Sequence, residues 1–199
     1  MATLRPAITA EQIRWFRLQR GGLVTPFASA EECAIAHFGI QAQILPAAGL
    51  ALWNRTTGLS EQRCDELLYE QRTLVKLWGQ RNTLHLYACA DWPMLYAARS
   101  VNLTWWERQL DETDRVQHEQ LIGQVLELLR AHETIGRTTL RASDLALNDD
   151  HFSAWGGIFA DLVRRGHACH AGRVGNEGLF AHRERWGPDL VWDPPAAEE

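Results

Sequence analysis

Two glutamines stand one residue apart in an apolar stretch, at positions 41 and 43 of IQAQILPAAG (residues 40–49). Glutamine does not ionise, so Gln41 and Gln43 cannot serve as an ordinary acid and base, but each carboxamide offers a dipole and four hydrogen-bonding positions. In extended backbone, residues two apart lie on the same face, whereas in a helix they diverge. We therefore expect a local extension or the start of a helix here. Most such pairs are simply exposed polar residues, so the surrounding motifs must decide between the two interpretations.

Other chemistry-bearing motifs are scarce. The sequence contains no phosphate-binding glycine loop, no HExxH and no nucleophile elbow. In HACHAG, Cys169 lies between His167 and His170, but a structural zinc site needs about four ligands, and alternation along a strand is the preferred interpretation. We expect no metal and no organic cofactor. Small core residues are the expected role of the remaining cysteines, Cys33, Cys64 and Cys89.

Composition indicates a globular protein without a membrane segment. The chain has 199 residues, is 46% hydrophobic and 23% charged, and contains no apolar run near the roughly 20 residues that span a bilayer. The first residues, MATLRPAITAEQ, lack the pattern of a signal peptide. We expect a cytoplasmic, nucleoid-associated protein.

Charge is distributed unevenly along the chain. The net charge of −5 argues mildly against a nonspecific nucleic-acid binder. Residues 1–27, however, carry four arginines against the single glutamate Glu11, and acidic residues gather at DETD, NDD and the final AAEE. This asymmetry permits a basic face on an acidic protein.

The first half of the chain predicts three helices followed by a β-hairpin. Thr9 begins a capping box in TAEQ, and the helix that follows has an apolar stripe expected to be buried: Ile13, Trp15, Phe16 and Leu18. Further helices are predicted in ECAIAHF, AAGLALWNRTT and EQRCDELLYEQ. TLVKLW and TLHLYA, joined by GQRN, then predict the hairpin. This order is typical of a winged helix-turn-helix.

The second half predicts the same order again. Asp91 caps a helix extending toward Leu110, in which Trp105 and Trp106 predict an inter-domain contact. A long amphipathic helix near 114–133 and two shorter helices precede a hairpin formed by HACHAG and LFAHRERW. We therefore predict a mainly α, α+β protein with small β-hairpins and tandem winged helix-turn-helix domains. The expected domains are residues 1–110 and 111–190, with 191–199 as a tail or linker that has little to bury.

Taken together, these motifs resemble the AlkZ/YcaQ family of winged-helix DNA glycosylases. The resemblance rests on HFGIQAQILPAAGLALWNRTTGL and LVKLWGQRNTLHLYACADWP, which match the family's Q-hydrophobic-Q, A-x-W-x-R-x-x-G-L and R-G-T-L-H-L motifs. The chain departs at Asn82, where the family usually has glycine, and at Ala42, a small residue at the hydrophobic position. The matching positions include Gly39, Gln41, Gln43, Trp53, Arg55, Gly58, Arg81, Thr83, His85, Asp91 and Pro93.

The resemblance implies excision of alkylated purines, including bases in bulky or interstrand-crosslink adducts, from double-stranded DNA without a cofactor. Gln41 and Gln43 would be catalytic, holding the attacking water and directing carbonyl oxygens toward developing positive charge. Family members are usually longer, so a missing C-terminal region or a partner chain is expected.

Further residues are candidates for DNA contact, each with a structural alternative. Arg81 and Asn82, at the first hairpin tip, contact phosphate or form a solvated turn. His85 is a site residue or a hydrogen-bonded strand histidine, and Arg55 meets DNA or its own helix carbonyls. Arg173, in the second hairpin, contacts phosphate or belongs to a charged surface. Trp53 is expected in the core rather than as a platform for base stacking.

Two non-catalytic alternatives remain open at this stage. Winged helices mostly serve as DNA-binding modules, and fold alone does not give function. The predicted recognition helix, SEQRCDELLYEQ, nevertheless carries three glutamates and one aspartate against one arginine, which is unfavourable in a DNA groove. The other alternative is a protein-interaction module or a truncated, inactive family member.

Overall fold

Five antiparallel strands form one sheet in the order β1–β3–β2–β4–β5. A computed structural model describes residues 8–100, 110–153 and 156–196. The strands are β1 (Ile40–Gln41), β2 (Leu74–Trp78), β3 (Leu84–Ala88), β4 (Ala168–Val174) and β5 (Glu177–His182). The helices in these ranges are α1 (Ala10–Arg20), α2 (Ala30–His37), α3 (Leu45–Trp53), α4 (Glu61–Asp65), α5 (Trp92–Ser100), α6 (Glu112–Ala131), α7 (Arg137–Arg141), α8 (Gly157–Arg164) and α9 (Arg183–Trp186). The predicted α+β class, mainly helical with two hairpins, is confirmed.

Helix starts follow the capping signals of the sequence. Thr9 accepts a hydrogen bond from the Gln12 backbone N–H, and the Gln12 side chain accepts one from Thr9 N–H, so the predicted capping box is present. Ser29 and Ser60 cap α2 and α4 through their hydroxyl oxygens, and Asp111 caps α6. These caps satisfy backbone donors that a helix leaves unpaired at its N-terminus.

The two hairpins join in a single sheet. β2 pairs with β3 from Leu74↔Ala88 to Trp78↔Leu84, and β4 pairs with β5 around a bulge between His170 and Gly172. One antiparallel pair, Lys76↔His170, links β2 to β4 and thereby connects the hairpins. Sequence patterning predicts each hairpin but not this link between them.

The sheet separates two apolar cores because neighbouring residues on a strand face opposite sides. Leu74 and Leu86 belong to a core that packs under α2, α3 and α4. Val75, Leu77 and Tyr87 belong to the other core, which is built with α5, α6 and α8. After α4 the chain continues in a wider turn of helix, Glu66–Glu70, whose Leu67 and Leu68 enter the first core. The acidic helix predicted for recognition therefore has a structural face.

The expected burial of the α1 stripe is wrong. No residue of α1 is buried, and Trp15 and Phe16 are 56% and 64% exposed. The periodicity of a helix shows that one face is apolar, but not that another element covers it. Trp53, expected in the core, is also exposed, whereas Leu52 in the same turn of α3 is fully buried.

The segment after α9 packs a tryptophan side chain against the rest of the protein. The Trp192 ring lies 5.9 Å from that of Trp92 and 5.3 Å from that of Tyr96, and the Arg183 guanidinium stacks 3.7 Å above it. The expectation that this segment has little to bury is wrong at Trp192.

The predicted extension of α5 beyond Ser100, with Trp105 and Trp106, lies outside the described residues. None of the helices in the described ranges is long and apolar enough to cross a bilayer.

Candidate active site

The glutamine pair lies in a short extended segment between two helices. α2 ends at His37, after which Phe38 and Gly39 adopt left-handed φ angles of 47° and 101° and turn the chain into β1. A side chain at Gly39 would overlap the Tyr87 ring, so the close approach of backbone to ring requires glycine here. α3 begins at Leu45, with Pro46 in its first turn. The predicted local extension at the pair is confirmed.

Burial alternates along this segment. Ala42 is fully buried in the core under α2 and α3, whereas Gln41 and Gln43 are exposed. Both carboxamides therefore lie on the side of the segment opposite to Ala42. The small residue at this position fits a chain that passes close to the packed helices.

Gln43 is held by the neighbouring strand. Ala42 N–H donates to the Leu84 carbonyl at 2.7 Å, and Leu84 N–H donates to Gln43 Oε1 at 3.2 Å. The side chain thus takes the place that a backbone carbonyl of β1 would hold in a longer ladder. Because Oε1 faces a donor, the amide orientation is set, and the Nε2 group is left to donate elsewhere.

His85 lies directly opposite Gln41 in the β1–β3 ladder. Residues paired in this way share a face of the sheet, so the imidazole and the Gln41 carboxamide are neighbours. His85 is buried, and its Nδ1 lies 3.0 Å from the Thr83 carbonyl oxygen. A carbonyl can only accept, so Nδ1 carries a proton, and in a ring protonated only there Nε2 is an acceptor.

The tip of the first hairpin brings Arg81 and Asn82 close to this edge. Both adopt left-handed φ angles, 53° and 56°. Asn82 stands where the resemblance predicted glycine, and asparagine is among the residues that tolerate this conformation. The Asn82 side-chain oxygen accepts a hydrogen bond from Arg99 Nη2 at 2.7 Å. Arg81 is exposed.

Arg99 and Tyr87 complete the support of the tip, and sequence analysis did not identify either. Arg99 Nη1 donates to the Gly79 carbonyl, and Gln80 N–H donates to the Tyr87 hydroxyl at 3.3 Å. Burial raises the pKa of the Tyr87 phenol and lowers that of Arg99. The period-two pattern from His85 could have indicated Tyr87, but no spacing signal connects Arg99 to a turn seventeen residues earlier.

The other two DNA-contact candidates lie apart from this edge. Arg55 Nη1 donates to the Ala51 carbonyl at 2.8 Å, which is the helix-carbonyl alternative. Arg173 is exposed on β4, and its charge adds to burial in lowering the pKa of Lys76. Three strand spacings of about 4.8 Å each separate β4 from β1, and the register places Arg173 four residues along β4 from the row of Gln41. Arg173 is therefore more than roughly 14 Å from Gln41.

The polar groups at this edge include three carboxamides (Gln41, Gln43 and Asn82), one imidazole (His85) and two guanidinium groups (Arg81 and Arg99). They can orient a water molecule and contact an anionic backbone. Cys169 and His170 lie on β4, as the strand interpretation predicts. The described part of the chain has no group of three or more His, Cys, Asp or Glu side chains arranged to hold a metal ion.

Comparison with known proteins identifies the family of this chain. The family described as DNA glycosylase AlkZ-like matches residues 36–199. The structure of Streptomyces sahachiroi DNA glycosylase AlkZ is similar, with a TM-score of 0.76 and 23% sequence identity over 97% of this chain and 54% of that chain. This chain thus spans about half the length of that structure. No curated protein matches the sequence. Since the family match extends over most of the chain, the protein belongs to the AlkZ-like DNA glycosylase family.

Proposed function

We propose that this protein hydrolyses the N-glycosidic bond of alkylated purines in double-stranded DNA, with Gln41 and Gln43 positioning the attacking water. The observation that carries the proposal is the geometry of the pair. Two exposed carboxamides flank the fully buried Ala42, and one of them is fixed by Leu84 N–H. A fixed amide can order a water molecule without paying for reorganisation during the reaction.

Neutral residues suffice for this chemistry because the substrate is already activated. Alkylation at N7 of guanine or N3 of adenine places positive charge on the base. When the bond from the sugar carbon to the base breaks, its electron pair neutralises that charge, and the leaving base needs no general acid. The water oxygen adds to the oxocarbenium-like sugar carbon, and its proton passes to solvent. The proposed steps are therefore positioning and electrostatic stabilisation.

We assign different tasks to the two glutamines. Gln43 presents its Nε2 group outward because Oε1 accepts from Leu84 N–H, so it suits a donor to the water oxygen. Gln41 has no hydrogen-bond partner for its carboxamide among the described residues and is free to turn its carbonyl oxygen toward the water protons or the cationic sugar. His85, opposite Gln41, offers Nε2 as a further acceptor.

Arg81 and Asn82 are proposed to contact the DNA backbone at the hairpin tip, and Arg55 and Arg173 to contact it farther away. N7-alkylguanine and crosslink adducts are the proposed lesions.

The test is release of 7-methylguanine from alkylated duplex DNA by the wild type and by the Gln41→Ala/Gln43→Ala double variant. We expect the variant to lose at least about 100-fold in rate, the usual cost of removing a positioned dipole. The matched control is Gln120→Ala/Gln124→Ala, a pair of exposed glutamines on α6, which should retain the wild-type rate.

Stability must be measured beside activity. Gln43→Ala leaves Leu84 N–H without its acceptor and should cost about 1 kcal/mol of unfolding free energy, whereas Gln41→Ala should be close to neutral. Excision that survives in the folded double variant would contradict the catalytic role. Salt-dependent duplex binding by the wild type without any excision would favour a DNA-binding module instead.

A further inference from the structure

Helix α1 is well formed although it packs little. Its N-terminus has a complete capping box, and Gly21 ends it with N–H donation to the Arg17 carbonyl. No side chain of its eleven residues is buried. A helix this short is marginal without packing, so the caps account for much of its order. It is therefore a formed element whose surface is available to a partner.

Three arginines follow one another at every third position of this helix, Arg14, Arg17 and Arg20, and we call them the arginine ridge. The spacing places them on adjoining sides of the helix over about 9 Å of its axis. All three are exposed, and none pairs with a carboxylate in the described part of the chain. By contrast, Arg63 and Arg130 each pair with a glutamate three residues away.

The ridge is attached close to the candidate active site. Phe27 N–H donates to the Arg55 carbonyl at 2.8 Å, and Gly22 lies against both Phe27 and that carbonyl. The C-terminal end of α1 is thereby tied to the chain just after α3. α3 has nine residues and begins two positions after Gln43, so about 13 Å of helix lies between the point where α1 is attached and the glutamine pair.

We propose that the arginine ridge of α1 is a docking surface for the phosphate backbone of duplex DNA beside the glutamine site. Charge complementarity identifies the partner. The described segment 8–27 carries three arginines and one glutamate in a protein of net charge −5. Phosphates follow each other at about 3.4 Å along the axis of one DNA strand, so a ridge of about 9 Å matches two to three of them. The inference rests on the proposed function only in naming DNA as the partner.

The test measures binding of undamaged duplex DNA as a function of salt, so its outcome is independent of excision. The full chain is compared with Arg14→Gln/Arg17→Gln/Arg20→Gln. Glutamine has nearly the helix propensity of arginine, and no buried side chain is altered, so the variant should keep its circular dichroism spectrum and urea midpoint.

We expect the slope of log affinity against log salt to become shallower by about 0.9 for each lost phosphate contact, or nearly 3 in all, with on the order of 100-fold weaker binding at about 0.1 M salt. The matched control is Arg63→Gln/Arg115→Gln/Arg130→Gln, which changes net charge equally on α4 and α6. It should shift affinity less than about 3-fold.

Two results would overturn the inference. Equal losses in both triple variants would show that only net charge matters. An unchanged slope in the α1 variant would show that DNA does not bind the arginine ridge. The helix, with exposed Trp15 and Phe16, would then be a surface for a protein partner. Absence of excision in the wild type would contradict the proposed function, but it would not change the DNA-binding results of the two triple variants.

Discussion

The two hairpins end in turns that are held in different ways. At the first tip, Arg99 donates to the Gly79 carbonyl and to the Asn82 side chain, and the Tyr87 hydroxyl accepts from Gln80 N–H. At the second tip, Gly175 and Asn176 are exposed, and a side chain at Gly175 would meet open space. The turn next to the glutamine pair is thus fixed from the helical side, while the other is an ordinary solvent turn.

The more firmly held turn is the one beside the glutamine pair. Leu84, which holds the Gln43 carboxamide, is two residues beyond Asn82, so the Arg99 contacts stabilise the strand end on which the amide depends. The second hairpin is held beside its two-residue turn, where Thr138 donates two hydrogen bonds to Glu177, while Gly175 and Asn176 of the turn itself are exposed. Three substitutions test the contrast, from the largest expected effect to the smallest.

Gly79→Ala should be the most damaging change. Its Cβ would overlap the hydroxyl end of the fully buried Tyr87 ring, which has no room to move. We expect a loss of about 3 kcal/mol in unfolding free energy, measured by urea titration. Gly175→Ala, with φ of 58° and open space, should cost only about 1 kcal/mol. Equal losses at the two glycines would remove the distinction between the tips.

Arg99→Ala should have an intermediate effect. Loss of two hydrogen bonds from a charged donor should cost about 2 kcal/mol. Asn82→Gly removes the acceptor but keeps a residue that adopts the left-handed conformation, so it should cost less than about 1 kcal/mol.

The Arg99→Ala/Asn82→Gly double variant tests whether these two residues are coupled. Its cost should fall short of the sum of the two single costs by about 1 kcal/mol, because the residues share one contact. Strict additivity would contradict the coupling. Arg173→Ala, on the exposed part of the second hairpin, is the control and should change stability by no more than about 0.5 kcal/mol.

Glu177→Gln should produce the smallest effect, and one that depends on pH. Hydrogen bonds from the Thr138 hydroxyl and backbone N–H lower the pKa of Glu177 below its ordinary value. Its stabilisation is therefore complete above the ordinary glutamate pKa and is lost as pH falls through the lowered folded-state pKa. The difference in unfolding free energy between wild type and variant should shrink from about pH 6 to about pH 3. A difference that stays constant over this range would show that the charge is not involved.

In this protein the sequence predicts local structure better than it predicts which elements pack against each other. The cap at Thr9 and both hairpins could be predicted because each depends on residues near in sequence. The α1 stripe and Trp53 were misjudged because an apolar side chain does not show whether another element lies over it. The burial of Trp192 depends on Arg183, Trp92 and Tyr96, which approach only after folding.

The candidate site likewise combines local features that could be predicted with long-range contacts that could not. The local extension at Gln41 follows from two-residue spacing ahead of a helix with proline in its first turn, and is confirmed. The anchoring of Gln43 by Leu84 could not be predicted, because the two residues are separated by 41 positions in the sequence. The contact of Arg99 with Asn82 spans 17 positions, and neither separation belongs to a repeating pattern. The assignments stay predictions, both of catalysis to the two glutamines and of DNA contact to five residues: Arg55, Arg81, Asn82, His85 and Arg173.

The strand that carries Gln41 has a consequence for self-association. β1 is the outer strand of its side of the sheet, and outer strands offer unpaired N–H and C=O groups to any extended chain that approaches. Here the exposed edge is only two residues long, because α2 ends just before β1 and α3 begins at Leu45 shortly after it. Pro46, in the first turn of α3, has no N–H to donate. The helix boundaries that bring the glutamines into the open also deny a second copy the length of edge it would need to pair and aggregate.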